Sequence, residues 1–374
     1  MSWKRNLVEN LVRAVSLVSP SSPLPVSPKR ILVLRNNDIG DLLVISALFE
    51  ALKRKFPEAK IIAAVGSWAC PVIENNPFVD EVFRVTAPWH NKAISGQTDG
   101  KRFAYCFSSP EVAELRARKC DVGIDVLGSP FGSFMMMRAG IPYRLGVRGY
   151  AGGWSGCHKW VESDGETYVG RGALKFVELL GASEAELPSV KPQLYLSAAE
   201  VARGEELWGD TTGKLRLVMG VGGGFPEKCW PPERFRELLE LLEEDGGFVV
   251  KLVGGKVEVP MGESLAKGLS GVETLCGKVS LRETFALTAA ADRVVTNPSM
   301  LMHVAAAFSV PAVVSMGPFF PSVIEHNRLW ICNDITTVLG CEVKANRHEV
   351  ATAREVFDAL KALQKHSTPP AVHV

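Results

Sequence analysis

The chain has 374 residues, 47% of them hydrophobic and 22% charged, with a net charge of +1. That length suits about two domains with separate cores, and the near-zero charge supplies no field that would draw in nucleic acid. Eight cysteines form no CxxC pair and no zinc-ligand spacing, so no metal is expected and the thiols read as reduced, in a cytoplasmic protein. No apolar run reaches the length of a membrane span.

Residues 1–18, MSWKRNLVENLVRAVSLV, place Leu7, Val8, Leu11, Val12, Val15, Leu17 and Val18 at amphipathic-helix spacing. Lys4, Arg5 and Arg13 add positive charge, while Asn6, Glu9 and Asn10 break the apolar core that a signal peptide needs. Two readings stay open: a helix on an anionic membrane surface, or a helix packed on the protein or a partner. Residues 19–28, SPSSPLPVSP, read as a Pro/Ser-rich linker.

The fold proper begins at Arg30. The run Ile31 to Arg35 (ILVLR) reads as a strand buried on both faces. NNDIGD follows as a turn, then LLVISALFEALKRKFP as a helix, then Lys60 to Val65 as a second strand, making a βαβ unit. Gly40 lets the backbone approach a ligand, and Asp41 opens the helix at the rim where open α/β sheets bind ligands. A carboxylate there can accept a proton from an attacking hydroxyl, or it can simply complement the helix dipole. Further on, Asp121 to Val126 is a strand, and Phe131 to Ala139, with Met135, Met136 and Met137, is core or lip packing. Arg144 to Val147 is read as the last strand of this half, and Tyr150 to Trp160 as a loop.

A second α/β series starts at Leu215. The strand LRLVMGV runs into Gly222, Gly223 and Gly224, whose backbone can come close to a ligand. Lys228 on the same loop can neutralise phosphate oxygens, and Glu258, just past the next strand, can accept hydrogen bonds from ribose hydroxyls. Ser280 and Glu283 form a capping box. In the stretch Asp292 to Pro318, Val294 and Val295 lead to a turn at Thr296-Asn297, a helix over Ser299 to Phe308, and an apolar run from Val310 to Met316. Asn297 is expected as the helix cap, with Pro298 at the first helical position. The N–H groups of that turn form either an anion site or the start of an ordinary α/β unit with nothing bound. A last amphipathic helix is expected from about Glu349 to Lys365. Walker, GxGxxG and GxSxG motifs are missing, which argues against P-loop, dehydrogenase and hydrolase chemistry.

Three pieces together resemble glycosyltransferase family 9, the bacterial heptosyltransferases: ILVLRNNDIGDLLVISALFEALKRKFP, KCWPPERFRELLELL, and the 292–318 stretch. The resemblance covers about Arg30 to Pro321. It implies an α/β GT-B architecture, two Rossmann-like parallel-sheet domains facing a central cleft. The corresponding boundaries are an amphipathic helix and linker at 1–29, an acceptor-binding domain at 30–192, a nucleotide-sugar domain at 193–345, and a helix and tail at 346–374.

The resemblance also implies inverting, metal-independent transfer without a cofactor, from ADP-heptose to a lipopolysaccharide-core or related glycolipid acceptor. Asp41 falls on the family's catalytic base, with Gly40 on the acceptor side. Lys228 falls on its phosphate-binding lysine and Glu258 on its ribose-binding acid, beside Gly222 and Gly223. The backbone around Ser299, Met300, Leu301 and Met302 falls on the diphosphate cradle, with His303 either packing or touching phosphate or ribose. A glycolipid acceptor would bring residues 1–18 against the cytoplasmic face of the inner membrane. Pro298 stands where the family has an acid and Met300 where it has glycine. A different donor sugar in the same fold, or a catalytically silent nucleotide-sugar-binding scaffold, are the competing readings.

Overall fold

Apolar runs too short and too continuous for amphipathic helices become parallel strands in both halves of the chain. The computed structural model describes residues 3–91, 94, 96–211, 213–320, 322–340, 343–344 and 347–364. The chain divides into two units, Met1–Val190 and Lys191–Val374.

The first unit holds β1 (Arg30–Arg35), β2 (Lys60–Val65), β3 (Glu81–Arg84), β4 (Val122–Asp125), β5 (Tyr143–Arg148) and β6 (Lys159–Glu162). Their order is β3-β2-β1-β4-β5-β6, and all neighbours run parallel. Ile31 pairs with Ile61 on one side and Val122 on the other, so β1 lies mid-sheet with residues 31–35 buried. The order reverses between β1 and β4, which makes their carboxyl ends the switch point where such sheets take ligands.

The second unit holds β7 (Leu215–Gly220), β8 (Phe248–Val253), β9 (Val272–Thr274), β10 (Arg293–Thr296), β11 (Ala312–Ser315) and β12 (Thr336–Leu339). Their order is β12-β11-β10-β7-β8-β9, again all parallel, with the reversal between β7 and β10. The two sheets therefore share one Rossmann-like winding. Val343–Lys344 and Arg347–His348 form a short antiparallel ladder.

Several expectations need correction. The single helix expected after NNDIGD is two, Ile39–Val44 and Ala47–Lys55. Ile45 leaves helical geometry, and the buried Ser46 hydroxyl donates to the Leu43 carbonyl at the break. Arg144 to Val147 is not the last strand, because Lys159–Glu162 adds a parallel edge beyond it, overlapping the end of the stretch read as loop. The final helix spans Ala353–Ala362, capped by Thr352 and Glu355, and the expected end at Lys365 lies outside the described residues.

The Pro/Ser segment is pinned to the first unit. Arg144, 1% exposed, donates to the carbonyls of Pro20, Ile141 and Gly156, and Ser22 N–H donates to Pro142. The Trp3–Ser16 helix packs on the same unit, with Val12 fully buried beside Phe134, Met135 and Met136. Glu9 is buried under it and accepts from Gly153 N–H at 2.6 Å and from the Ser155 hydroxyl. Of the two readings of this helix, packing on the protein holds for its inner face.

Candidate functional site

At the switch point of the first unit, β1 delivers Arg35 and the turn after it delivers Asn36 and Asn37. Asn36, 1% exposed, donates to the Trp89 carbonyl at 2.9 Å and locks the turn to the loop after β3. The helix begins at Ile39, so Gly40 lies inside its first turn and Asp41 is its third residue. Asn37 Nδ2 donates to Asp41 Oδ2 at 2.6 Å, and the Arg35 guanidinium lies 3.5 Å from Oδ1. Asp41 keeps 22% of its side chain exposed while Arg35 keeps 7%. The carboxylate is thus oriented from behind and open in front, as a general base must be. Arg35 Nε is buried with no hydrogen-bond partner among the described residues.

Sequence reasoning passed over Asp125, the last residue of β4. It is 2% exposed, and burial pushes its carboxyl up to about 6. The carboxyl accepts from the N–H groups of Gly128 and Ser129 at 3.0 and 2.8 Å. A Cβ at Gly132 would come within 2.0 Å of Asp125 Oδ2, so that glycine is required for the approach. An acid closing an apolar strand ahead of a Gly-Ser-Pro turn was the available signal.

At the switch point of the second unit, one side chain does most of the assembly. Asn297 is fully buried and does not cap the helix, which starts at Met300 with Ser299 as its N-cap and no side-chain cap bond. Its Oδ1 accepts from Trp230 N–H at 2.8 Å, and its Nδ2 donates to the carbonyls of Val221 and Gly222 at 3.1 and 3.0 Å. The amide is consumed because it staples the end of β10 to the glycine turn and to the KCWPP segment. The expected cap is therefore wrong, and Pro298 precedes the N-cap instead of filling the first helical position. Without a side-chain cap, the first-turn N–H groups of the Met300–Phe308 helix other than that of Met302, which donates to the Ser299 carbonyl at 3.2 Å, keep their capacity for an anion.

The glycine turn is shaped by its neighbours. A Cβ at Gly222 would lie 2.9 Å from the Glu258 carboxyl carbon, and one at Gly223 would lie 2.6 Å from Cys229 Sγ. Gly222 and Glu258 are thus brought together, and Glu258 Oε2 also accepts from Gly255 N–H at 2.7 Å. Lys228 is held by backbone pairing: Gly317 N–H donates to its carbonyl at 3.1 Å and Phe319 N–H to that of Glu227 at 3.0 Å. A Cβ at Gly317 would strike the Cys229 carbonyl at 2.4 Å, so only glycine permits this seam. The Lys228 ammonium sits among three rings, 4.7, 5.3 and 5.4 Å from the centroids of Phe225, Phe319 and Phe320.

The Met300–Phe308 helix separates backbone from side chain. Leu301 and Met302 are each 3% exposed; Leu301 packs over Gly220 and Met302 against Val314 and Met316. Only their backbone can meet a ligand, whereas Ser299 and Met300 stay half-buried at the rim. His303 is buried beside Trp330, and burial, helped by His326 and Lys228, pushes it down to about 3. Burial likewise pushes His326 down to about 4, with Lys228 adding to it. Both imidazoles are neutral near pH 7, so positive charge at this rim comes from Lys228 and the helix N-terminus.

Two Rossmann-like units, each with polar groups gathered at its switch point, suit an α/β protein that takes ligands at its strand ends, and comparison with known proteins narrows the class. The model of glycosyltransferase family 9 (heptosyltransferase) matches residues 112–349. The chain belongs to that family and is a glycosyltransferase. The matched segment contains Gly222, Lys228, Glu258 and His303 and begins after Asp41. Lipooligosaccharide heptosyltransferase 2 of Haemophilus influenzae is 27% identical over 310 residues, covering 78% of this chain and 84% of that protein. Among solved structures, E. coli ADP-heptose lps heptosyltransferase II aligns with a TM-score of 0.69 at 24% identity, covering 90% of this chain and 98% of that one. A family 9 glycosyl transferase from Veillonella parvula aligns with a TM-score of 0.73 at 19% identity, covering 92% and 98%. These structural matches establish the GT-B fold.

Proposed function

We propose that this enzyme moves heptose from ADP-heptose to a lipopolysaccharide-core or related glycolipid acceptor, with inversion at the anomeric carbon and without a metal ion. One observation carries the donor half: uncapped helix N–H groups, Lys228 and the glycine turn share the β7/β10 rim, a combination suited to a diphosphate. The choice of heptose and of a lipopolysaccharide acceptor is supported by two of the relatives above, a lipooligosaccharide heptosyltransferase 2 and an ADP-heptose lps heptosyltransferase II.

In this reading the acceptor hydroxyl attacks the anomeric carbon from the face opposite the diphosphate. Asp41 takes the hydroxyl proton. The bond from the anomeric carbon to the phosphate oxygen breaks, and its electron pair leaves with ADP. Lys228 and the N–H groups around Ser299 to Met302 meet the charge that builds there, while Glu258 accepts from the ribose hydroxyls. Neutral His303 contributes packing or a single hydrogen bond and no charge. The enzyme works in the cytoplasm, at the inner-membrane surface that carries its acceptor.

A second reading, a different donor sugar in the same cradle, is favoured by Pro298 and Met300, which bring neither a carboxylate nor a glycine gap to the sugar end. Thermal melting with ADP, UDP, GDP and ADP-heptose separates the two. Selective stabilisation by ADP and ADP-heptose is expected, about 2.7 kcal/mol at a hundredfold excess over Kd. No response to either would remove the heptosyltransferase assignment, and a response to UDP or GDP alone would establish the second reading. Transfer that survives EDTA supports the metal-independent step, and transfer abolished by EDTA and restored by a divalent cation refutes it.

A further inference from the structure

The Trp3–Ser16 helix has two apolar faces, and the fold uses one. Val8, Val12 and Val15 turn inward onto the first unit. Trp3, Leu7 and Leu11 point outward with 71%, 62% and 48% of their surface exposed, and Leu17 and Val18 continue that side through the following turn at 81% and 85%. Positions 3, 7, 11 and 14 fall along one side of a helix of 3.6 residues per turn, so the outer stripe is continuous. Isolated apolar side chains on a surface need no explanation, but a ridge of this kind does.

The charge around the ridge selects its occupant. Arg13 is exposed on the same helix, whereas Arg5 donates to the Tyr150 carbonyl. The one acid of the helix, Glu9, is drawn inward to Gly153 and Ser155, so the outer side carries no carboxylate of its own. An apolar ridge on a helix whose one acid is sequestered and whose Arg13 is exposed is suited to an anionic lipid surface, where the apolar side chains enter the headgroup boundary and Arg13 meets phosphates. A protein partner would have to match both the ridge and its one-signed charge; a bilayer does so without further design.

We propose that the outer face of the Trp3–Ser16 helix docks the enzyme on anionic lipid, with Trp3, Leu7 and Leu11 as the inserted residues. This rests on the glycolipid reading only for its purpose; its test is binding, not transfer, so either can fail alone. The full chain is sedimented with vesicles of phosphatidylcholine alone and of an equimolar mixture with phosphatidylglycerol. Binding to the mixed vesicles is expected, weakened by salt. Leu7→Glu with Leu11→Glu should lower the partition coefficient at least about tenfold. Both side chains are exposed, so unchanged melting and ADP-induced stabilisation will show that the fold is retained. Trp3→Ala should weaken binding less and in the same direction. Failure to bind phosphatidylglycerol vesicles, or equal binding by the double variant, overturns the proposal. A dimer in solution that Leu7→Glu converts to monomer overturns it in favour of a second copy of this chain.

Discussion

The two switch points are built on one winding and solve different problems. Each has a fully buried asparagine just past a central strand, Asn36 after β1 and Asn297 after β10. Asn36 ties its turn to one distant carbonyl, at Trp89. Asn297 ties three segments at once. What these staples present also differs. The first rim offers side chains: an open carboxylate braced by Asn37 and Arg35. The second offers mainly backbone, with glycines that admit close approach, one ammonium and two neutral histidines. Proton transfer needs a single oriented group at one atom, whereas a diphosphate needs many donors spread over several oxygens. The contrast therefore separates chemistry from binding, and substitutions should separate the same way.

The largest expected effect tests the first rim. Asp41→Asn retains the shape and a partner for Asn37 but cannot take a proton. Transfer should fall about 10²–10⁴-fold while ADP binds with unchanged affinity. Turnover assays beside ADP titration check both halves, and unchanged turnover would remove Asp41 as the base. Next comes Asn297→Ala in the second rim. It orphans Trp230 N–H and the Val221 carbonyl in a dry interior and releases the half-buried Gly222 carbonyl, at a cost on the order of 2–4 kcal/mol. Melting of the second unit should drop and ADP affinity should weaken together. A variant with wild-type stability and affinity would show that the glycine turn holds its shape without the staple.

This difference also marks what the sequence made legible. Parallel strands, the alternation with helices, and the glycine turn were readable because short apolar runs and Gly clusters carry their own local signals. Asp41, Lys228 and Glu258 stand at strand ends, where position alone draws attention. Asn297 was misread because a polar residue ahead of a helix looks locally like a cap; its actual partners lie 67 to 76 residues away. Asp125 was passed over because its raised carboxyl depends on burial, which no local pattern reveals. The edge strand Lys159–Glu162 was hidden by surrounding Gly, Ser and Trp, and it exists through its pairing with β5.

A smaller effect concerns protons at the second rim. His303 has a folded value of about 3 against 6.5 for the free side chain, so the unfolded chain takes up the proton first. Its contribution is complete above pH 6.5 and is lost as pH falls toward 3, with His326 acting in the same sense. Asp125 acts oppositely: its carboxyl is raised from 3.8 to about 6, so keeping it buried costs more as pH rises through that window. With two histidines against one acid, stability should rise from pH 4 to 6.5. His303→Gln should flatten that rise by a few kcal/mol, about 1.4 for each pKa unit removed. An unchanged slope in chemical denaturation would mean that His303 is protonated in the folded enzyme.

The smallest effect asks how Lys228 is held, the counterpart of the hydrogen bond that braces Asp41. No ring can accept a strong hydrogen bond, yet three of them surround the ammonium within 5.4 Å. Each such contact is worth about 0.5–1 kcal/mol when exposed, and Phe319 is half exposed. A free lysine gives up on the order of 2 kcal/mol of rotamer entropy when it is fixed. The rings meet part of that cost before the ligand arrives. Phe319→Ala should therefore weaken ADP binding about two- to fivefold, well short of the loss from Lys228→Met, and should leave transfer at saturating donor nearly unchanged. Calorimetric titration decides the sign: tighter binding by Phe319→Ala would show that the rings compete with the phosphates for the ammonium.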